Sequence, residues 1–256
     1  MSPSCHGDTP VTVMYEPRTY RSWASTKGLV SFTAVVRETD LRITACSKLE
    51  KETLAAINDC RRPLEEYIKS NPPFLYALKP YPVDDSAPLI VKQIASAAMT
   101  AHVGPMAAVA GAVAESVGNE LLHYSPEIIV ENGGDIFLRL SKGCRVGIYA
   151  GEISPFTNTI ALEIQPDDMP LGICTSSGTI GHSLSLGQSD AVVVLAKSTA
   201  LADAAATGLG NRISTALDIS STIEYAQTIA GLSGVLIIKD DKMGLWGNVK
   251  VVPLPS

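Results

Sequence analysis

Short runs of β-branched and apolar residues lie at both ends of the chain. Near the N-terminal end, the runs 29–36 and 40–46 are separated by three polar residues, which is hairpin spacing. Near the C-terminal end, the runs 235–238 and 246–252 are joined across a short polar segment with glycine. The pattern predicts a β-hairpin at each end.

Longer apolar stretches after the first hairpin predict helices. The stretch 48–69 predicts one helix, and Pro63 within it predicts a kink or a break because proline lacks the N–H of a helical hydrogen bond. Five prolines in 71–88 predict a loop. Two further helices are predicted at 89–100 and 105–122, the second with proline in its first turn, where no donor is needed.

Between residues 127 and 194 the sequence consists of short β-branched runs separated by Gly, Pro and Asn, and this pattern predicts a sheet. Two helices are then predicted at 199–216 and 222–230. Hairpin, helices, more strands, helices and hairpin form an α+β order and not the regular alternation of a parallel sheet. The two similar halves of this order also predict an internal duplication.

Composition narrows the class of protein. Of the 256 residues, 46% are hydrophobic and 18% charged, as in a globular protein that folds by itself. The formal net charge of -6 opposes attraction to nucleic acid or anionic lipid, which needs an excess of Lys and Arg. The most apolar stretch, 103–117, contains Glu115 and is shorter than a membrane span of about 20 residues. We expect neither a nucleic-acid partner nor a membrane.

The N-terminal residues and the cysteines indicate the compartment and the domain organisation. The first ten residues lack the basic and apolar regions of an export signal. Five cysteines form an odd set without zinc-knuckle spacing, and free thiols fit a reducing cytosol. We therefore expect a cytoplasmic protein. Residues 1–25, rich in Pro, Ser, Thr and Arg, are interpreted as an N-terminal arm, and 26–256 as a single domain.

Four segments combine small residues with a few polar ones, a texture that lets a ligand approach the backbone closely. These segments are VGPMAAVAGAVAE (103–115), VENGGDIFL (130–138), CTSSGTIGHSLSLGQSDAVVV (174–194) and ADAAATGLGN (202–211). The chain has no phosphate-binding loop ending in Lys-Ser or Lys-Thr, no GxGxxG after a strand, no HExxH and no GxSxG. The chain therefore carries none of these nucleotide-binding and hydrolase motifs.

Asp203 and Thr207 are four residues apart, which places a carboxylate and a hydroxyl on one face of a helix. Magnesium prefers such oxygen ligands and keeps several waters, so a few protein ligands beside a substrate phosphate suffice. The alternative is structural: Asp203 interacts with a positive helix N-terminus, and Thr207 bonds back to a carbonyl. Spacing alone leaves both open.

The segment ENGGD predicts a tight hairpin turn in which Asn132 and Gly133 adopt positive φ. Gly133 and Gly134 would let a ligand approach, and Asp135 directly after them is a candidate contact residue in a ligand cleft. The alternative is that the segment is only a turn.

Around Cys174, a thiol precedes the segment Thr175, Ser176, Ser177 and Gly178, here called the TSSG segment, with His182 following. A Cys–His pair forms a nucleophile when the imidazole lowers the thiol pKa, and His182 is also the best candidate base. The alternatives are a buried, inert Cys174 and a merely hydrogen-bonded loop histidine. The TSSG segment can bind phosphate or sugar through its hydroxyls and N–H groups.

These four segments, with ETDLRI (38–43), resemble an uncharacterised cytoplasmic family related to ApbE, the magnesium-dependent FAD:protein FMN transferase. The match runs in order from about residue 15 to the end of the chain. The more distant likeness to ApbE itself rests on TSSG, GGD and ADAAAT, which are similar to that family's TSG, glycine pair and ADAxAT.

The resemblance implies an ApbE-like fold, related to the tunnelling folds, with antiparallel sheets and packed helices. It also implies Mg²⁺ on Asp203 and Thr207, and FAD or a related nucleotide near Gly133, Gly134, Asp135 and the TSSG segment. In ApbE, a protein acceptor receives FMN through a Thr hydroxyl, and AMP leaves.

The chain departs from the ApbE pattern at two places. Ala110 precedes Gly111 where ApbE has a Lys-Gly pair, and the HxxDPxTG segment that follows TSG in ApbE is missing. These departures favour an alternative, a non-catalytic accessory or ligand-binding protein. Resemblance to the cytoplasmic family also suggests a role in sulfide assimilation toward homocysteine in anaerobes, in which Cys174 would be reactive.

Overall fold

A computed structural model describes residues 28–178 and 187–254 and contains two antiparallel sheets. The large sheet has eight strands in the order β1-β2-β3-β4-β7-β8-β9-β10, and the small sheet has the order β11-β6-β5. The strands are β1 Val30–Val36, β2 Thr39–Ala45, β3 Ile128–Asn132, β4 Asp135–Arg139, β5 Cys144–Gly147, β6 Ile160–Ile164, β7 Leu171–Ser176, β8 Ala191–Ala196, β9 Leu232–Lys239, β10 Lys242–Gly247 and β11 Val251–Pro253. The predicted α+β class with antiparallel sheets is confirmed.

The helices of the described residues lie between these strands. They are α1 Glu50–Ser70, α2 Pro73–Tyr76, α3 Leu89–Ala101, α4 Val109–Leu121, α5 Thr199–Gly210 and α6 Asp218–Ala226. A 3-10 turn, Pro105–Ala108, leads into α4. The predicted break at Pro63 is wrong, since α1 runs unbroken through that residue.

Other boundaries also differ from the prediction, and α6 occupies Asp218–Ala226 instead of 222–230. Helix α5 ends at Gly210 and not at residue 216, because the carboxylate of Asp218 accepts the N–H groups of Ser214 and Thr215, at 3.0 and 2.8 Å, and starts α6 there. The last predicted strand is divided between β10 and β11. Gly247 between them has φ +78, which turns the chain from the large sheet toward the small one.

The large sheet has a different layer on each face. On one face, residues of β2, β3, β4, β7 and β8 share a core with α1, α3, α4 and α5. On the other face, the remaining residues of the central strands share a second core with the small sheet. The apolar runs of the central strands are therefore buried on both sides, with the helices on one side as predicted.

Helix α5 packs closely against both α4 and the sheet, because its neighbours are glycines. A Cβ on Gly111 of α4 would lie 2.4 Å from the carbonyl oxygen of Thr199 and 2.7 Å from Cβ of Asp203. A Cβ on Gly172 of β7 would lie 2.5 Å from Cα of Thr199. Side chains at these two positions would push α5 away.

Glu115 of α4 holds the N-terminus of α5. Its carboxylate oxygen accepts the N–H groups of Thr199 and Ala200, at 2.7 and 3.2 Å, and the hydroxyl of Ser198 at 3.1 Å. The first N–H groups of a helix have no partner within the helix, so this carboxylate satisfies them and complements the helix dipole. The contact ties α4 to α5.

Three other expectations concern the arm, the duplication and membrane spans. The predicted arm, 1–25, falls outside the described residues, and the division into an arm and a single domain stays a prediction. The order hairpin, helices, hairpin occurs on either side of the sheet centre, but the internal duplication also stays a prediction. Among the described residues, no single helix has the length and hydropathy of a membrane span; α3 and 105–121 reach it only together, across a bend of 104°.

We expect Glu115→Ala to lower the free energy of unfolding by about 1–3 kcal/mol, because it leaves partly buried N–H groups of α5 without an acceptor. Equilibrium unfolding in urea measures this loss. Glu120→Ala, on the exposed end of the same helix, is the matched control and should change stability little. Equal stabilities of the two variants would contradict the assigned role of Glu115.

Candidate functional site

Three of the sequence segments meet between the helix face of the large sheet and α5. In the register of β4 and β7, Asp135 lies opposite Cys174. The N–H of Thr175 donates to the carbonyl oxygen of Gly134 at 3.2 Å, which places the turn beside the TSSG segment. The charges of Asp135 and Asp203 interact directly, so α5 completes the cluster.

The turn differs in detail from the prediction. Gly133 and Gly134 are the two loop residues, with φ +72 and +134, while Asn132 belongs to β3 and pairs with Asp135. Positive φ at both loop positions is what a two-residue hairpin turn needs. The side-chain amide of Asn132 donates to the carbonyl oxygen of Ala110 at 3.0 Å and so connects the turn to α4.

Asp203 is half-buried in the second turn of α5, and its Oδ2 accepts the N–H of Gly111 at 2.8 Å. Gly111 lies in the first turn of α4, where N–H groups lack partners within the helix. The structural alternative for Asp203 therefore applies to a different helix from the one expected, because α5 itself is capped by Ser198 and Glu115. Thr207 lies one turn farther along α5 and is half-buried.

Both carboxyl groups have raised pKa values. Burial raises the pKa of Asp135 to about 7, with a contribution from the charge of Glu131, while a hydrogen bond with the Cys174 thiol opposes the shift. Burial and the charge of Asp135 raise the pKa of Asp203 well above its usual range, although the Gly111 N–H stabilises its anion. The two carboxylates thus repel each other in a partly desolvated place.

Cys174 is fully buried and donates its thiol to the carbonyl oxygen of Thr199 at 3.4 Å. Burial and the charges of Asp135 and Asp203 raise its pKa well above the usual range. Because the thiolate is the nucleophilic form, this environment favours the inert alternative for Cys174. His182, the other half of the predicted pair, falls in 179–186, outside the described residues.

The TSSG segment continues β7 beyond Cys174. Strand alternation places Ser176 on the helix face with Cys174, and Thr175 on the opposite face. The N–H of Gly178 donates to the carbonyl oxygen of Ser189 at 2.9 Å. Ser177, like its neighbours, is half-buried. The segment therefore lines the cleft mainly through Ser176 and backbone groups.

The oxygen donors of the candidate site are of the kind that a hard cation takes. Asp135, Asp203 and Thr207 supply two carboxylates and a hydroxyl, which are ligands that Mg²⁺ accepts together with water and phosphate. Within 28–178 and 187–254, no group of three His, Cys, Asp or Glu side chains could hold a metal ion. A ligand or water would have to complete the coordination.

Two residues of this region were missed by sequence reasoning. Glu115 gave a signal, since an acidic residue inside an apolar helix needs a buried partner. Ser189 gave none, because its importance comes from long-range packing beside the TSSG segment.

Comparison with known proteins shows the family. Residues 21–235 match the family model described as "AbpE bacteria". A UPF0280 protein of Methanocaldococcus jannaschii is 40% identical over 222 residues, which cover 84% of this chain and 89% of that protein. A UPF0280 protein of Methanothrix thermoacetophila is 43% identical over 200 residues, which cover 76% of this chain and 82% of that protein.

A solved structure shows the fold. The apo form of the flavinyl transferase ApbE from Pseudomonas stutzeri superposes with a TM-score of 0.51 at 14% identity, covering 85% of this chain and 94% of that one. At this identity the likeness concerns the fold alone. The predicted ApbE-like fold is confirmed.

We expect Asp203→Asn to stabilise the metal-free protein more at pH 8 than at pH 5. A carboxyl group with a raised pKa keeps its proton in the folded state after the unfolded chain has lost it, at about pH 4. Its contribution to stability is therefore complete below that pH and is lost as the pH rises through the folded pKa, which is about 7 for Asp135. Asn cannot ionise, and it keeps an oxygen for the Gly111 N–H.

Urea unfolding in EDTA across pH 4–8 measures this dependence. The wild-type protein should lose stability with rising pH over this range, and the variant should lose less. Asp241→Asn, at an exposed position, is the control for the loss of one charge. Parallel pH profiles for wild type and Asp203→Asn would contradict the repulsion between the two carboxylates.

Proposed function

The chain belongs to the UPF0280 family of ApbE-like proteins, and on that premise we propose that it binds FAD or a related nucleotide together with Mg²⁺. The proposed cleft lies between the Gly133 and Gly134 turn, the TSSG segment and α5. The observation that carries the proposal is the pair Asp135 and Asp203. Burial raises the pKa of both carboxyl groups, and the charge of Asp135 adds to the rise at Asp203.

A pair of this kind is costly unless something binds there. Partly buried like charges destabilise the folded protein, and native structures that keep such groups commonly use them at functional sites. A divalent cation would lower both pKa values and turn the repulsion into attraction. The capping of α4 by Asp203 needs only one acceptor, so it does not account for Asp135.

Each residue of the cleft has a proposed role. Asp203 and Thr207, one turn apart on α5, would hold Mg²⁺, with Asp135 supplying further negative charge. When bound, Mg²⁺ would neutralise the negative charge of the nucleotide's pyrophosphate. Gly133 and Gly134 allow close approach of the ligand, and Ser176 and the N–H groups after it would bind its polar atoms.

Transfer of FMN to a protein acceptor is the finer form of the proposal. In that step, an acceptor Thr oxygen forms a bond to the FMN phosphorus, the pyrophosphate P–O bond breaks, AMP leaves, and the hydroxyl proton passes to a base or to water. The departures at Ala110 and after TSSG remove two groups that ApbE has.

Non-catalytic nucleotide binding is the second candidate. One observation favours it: the residue before Gly111 is Ala110, which contributes a carbonyl to Asn132 and no positive charge to the cleft. The role in sulfide assimilation has less support, because it needs a reactive Cys174, and burial keeps that thiol protonated. Release of AMP from FAD in the presence of an acceptor would separate transfer from binding.

We expect the protein to bind FAD and ADP in Mg²⁺ but not in EDTA, and Asp203→Asn to abolish this binding. Asn keeps the shape of Asp203 while removing the charge that a hydrated Mg²⁺ requires. Isothermal titration calorimetry of wild type and variant, with each nucleotide, measures the effect. Thermal unfolding of the same samples shows that the variant is folded.

Asp241→Asn is again the matched control and should bind like wild type. If Asp203→Asn binds FAD as tightly as wild type does, Asp203 is not a ligand of the cation. A wild-type protein that binds neither nucleotide in Mg²⁺ would overturn the proposed function for these ligands.

A further inference from the structure

One peptide group at the start of α4 connects two sides of the proposed cleft. Its carbonyl oxygen, which belongs to Ala110, accepts the side-chain amide of Asn132 at 3.0 Å. Its N–H, which belongs to Gly111, donates to Oδ2 of Asp203 at 2.8 Å. The carbonyl and the N–H are parts of the same planar unit, so the amide, the peptide and the carboxylate form one continuous chain of hydrogen bonds.

This peptide group is held firmly against α5. A Cβ on Gly111 would lie 2.4 Å from the carbonyl oxygen of Thr199 and 2.7 Å from Cβ of Asp203, so the two helices are in direct contact here. Glu115, one turn farther along α4, binds the N–H groups of Thr199 and Ala200. The peptide therefore cannot move away from Asp203 unless the two helices separate.

The turn itself does not require an asparagine before its glycines. Both loop glycines have positive φ, while Asn132 is the last residue of β3 and pairs with Asp135. Asparagine is depleted in strands. The side chain of Asn132 is half-buried, and its hydrogen bond to the Ala110 carbonyl is the contact that accounts for its presence.

The hydrogen bonds of this chain strengthen one another, because each polarises the next. The amide of Asn132 draws electron density toward the Ala110 carbonyl oxygen, and peptide resonance makes the N–H at the other end a stronger donor. That N–H binds a carboxylate, and hydrogen bonds to charged groups are shorter and stronger than neutral ones. Asn132 thus helps to fix the direction of the Asp203 carboxylate from the far side of the peptide.

We propose that Asn132 is a positioning residue for the cation: acting through the peptide between Ala110 and Gly111, it orients the Asp203 carboxylate that would hold Mg²⁺. This inference rests on the proposed function and deepens it by naming a residue that sets the affinity of the site for the cation. Because Asn132 directly precedes the glycine turn, the chain of hydrogen bonds also joins the proposed ligand side of the cleft to its cation side.

Calorimetric titration with ADP at a series of free Mg²⁺ concentrations tests this role. We expect Asn132→Ala to raise the Mg²⁺ concentration at which ADP binding is half-maximal by roughly three- to tenfold, because the weakened chain orients Asp203 less well. At saturating Mg²⁺ the affinity for ADP should equal that of wild type, since the contacts of ADP itself are unchanged. Asn132→Leu, which is similar in size but donates no hydrogen bond, should show the same shift.

Asn71→Ala is the matched control. The side chain of Asn71 is also half-buried and donates to a helix carbonyl, that of Tyr67 at 3.1 Å, but it lies at the C-terminal end of α1. We expect both alanine variants to lower the melting temperature, and only Asn132→Ala to change the Mg²⁺ dependence. A purely structural role of Asn132 would therefore not produce the expected shift.

The ¹H–¹⁵N spectrum of the ligand-free protein tests the chain of hydrogen bonds without any nucleotide. We expect the amide proton of Gly111 to move upfield in Asn132→Ala, because its hydrogen bond to Asp203 weakens, and to stay in place in Asn71→Ala. An unchanged Gly111 resonance in Asn132→Ala would overturn the inference whether or not the protein binds nucleotides.

If wild type binds ADP in Mg²⁺, an unchanged Mg²⁺ dependence of Asn132→Ala and Asn132→Leu would overturn this inference alone. A loss of ADP affinity that persists at saturating Mg²⁺ would do the same, since it would make Asn132 a direct contact of the nucleotide. A wild-type protein that binds neither ADP nor FAD at any Mg²⁺ concentration would overturn the proposed function and this inference with it.

Discussion

The contact of Glu115 with the first N–H groups of α5 is the constraint on which the site depends. It joins α4 and α5 by hydrogen bonds of 2.7 and 3.2 Å to the helix backbone. Gly111 and Gly172 let the same turn of α5 approach α4 and β7 without intervening side chains. The backbone that carries Asp203 is therefore fixed from two sides before any ligand binds.

This rigidity explains why two carboxylates remain together. Asp135 is the first residue of β4, in the middle of an eight-stranded sheet, and Asp203 lies on α5, which is held against α4. Neither backbone can move away from the other without disturbing the core. Burial therefore raises the pKa of both carboxyl groups, and the charge of Asp135 adds to the rise at Asp203. Binding sites are commonly preorganised in this way, with strain at the site and support from the surrounding packing.

Short sequence patterns predicted part of the candidate site. Two adjacent glycines between β-branched runs indicate a hairpin, and the spacing of Asp203 and Thr207 indicates one helix face. The partner of Asp203, the N–H of Gly111, is 92 residues away in the chain, and no local period encodes such a contact. The end of α5 was misplaced for a similar reason, because alanine-rich sequence favours helix while Asp218 binds the backbone that would have continued it.

On the proposed function, the electrostatics of the cleft would make Mg²⁺ central to nucleotide binding. When they ionise, Asp135 and Asp203 bring negative charge, and a nucleotide pyrophosphate brings more. At an effective dielectric constant near 20, two unit charges about 4 Å apart repel by about 4 kcal/mol. Ala110 offers no positive charge to offset this. On the proposed function, an anionic nucleotide would therefore need a cation beside it here, more strictly than in a site that carries a lysine.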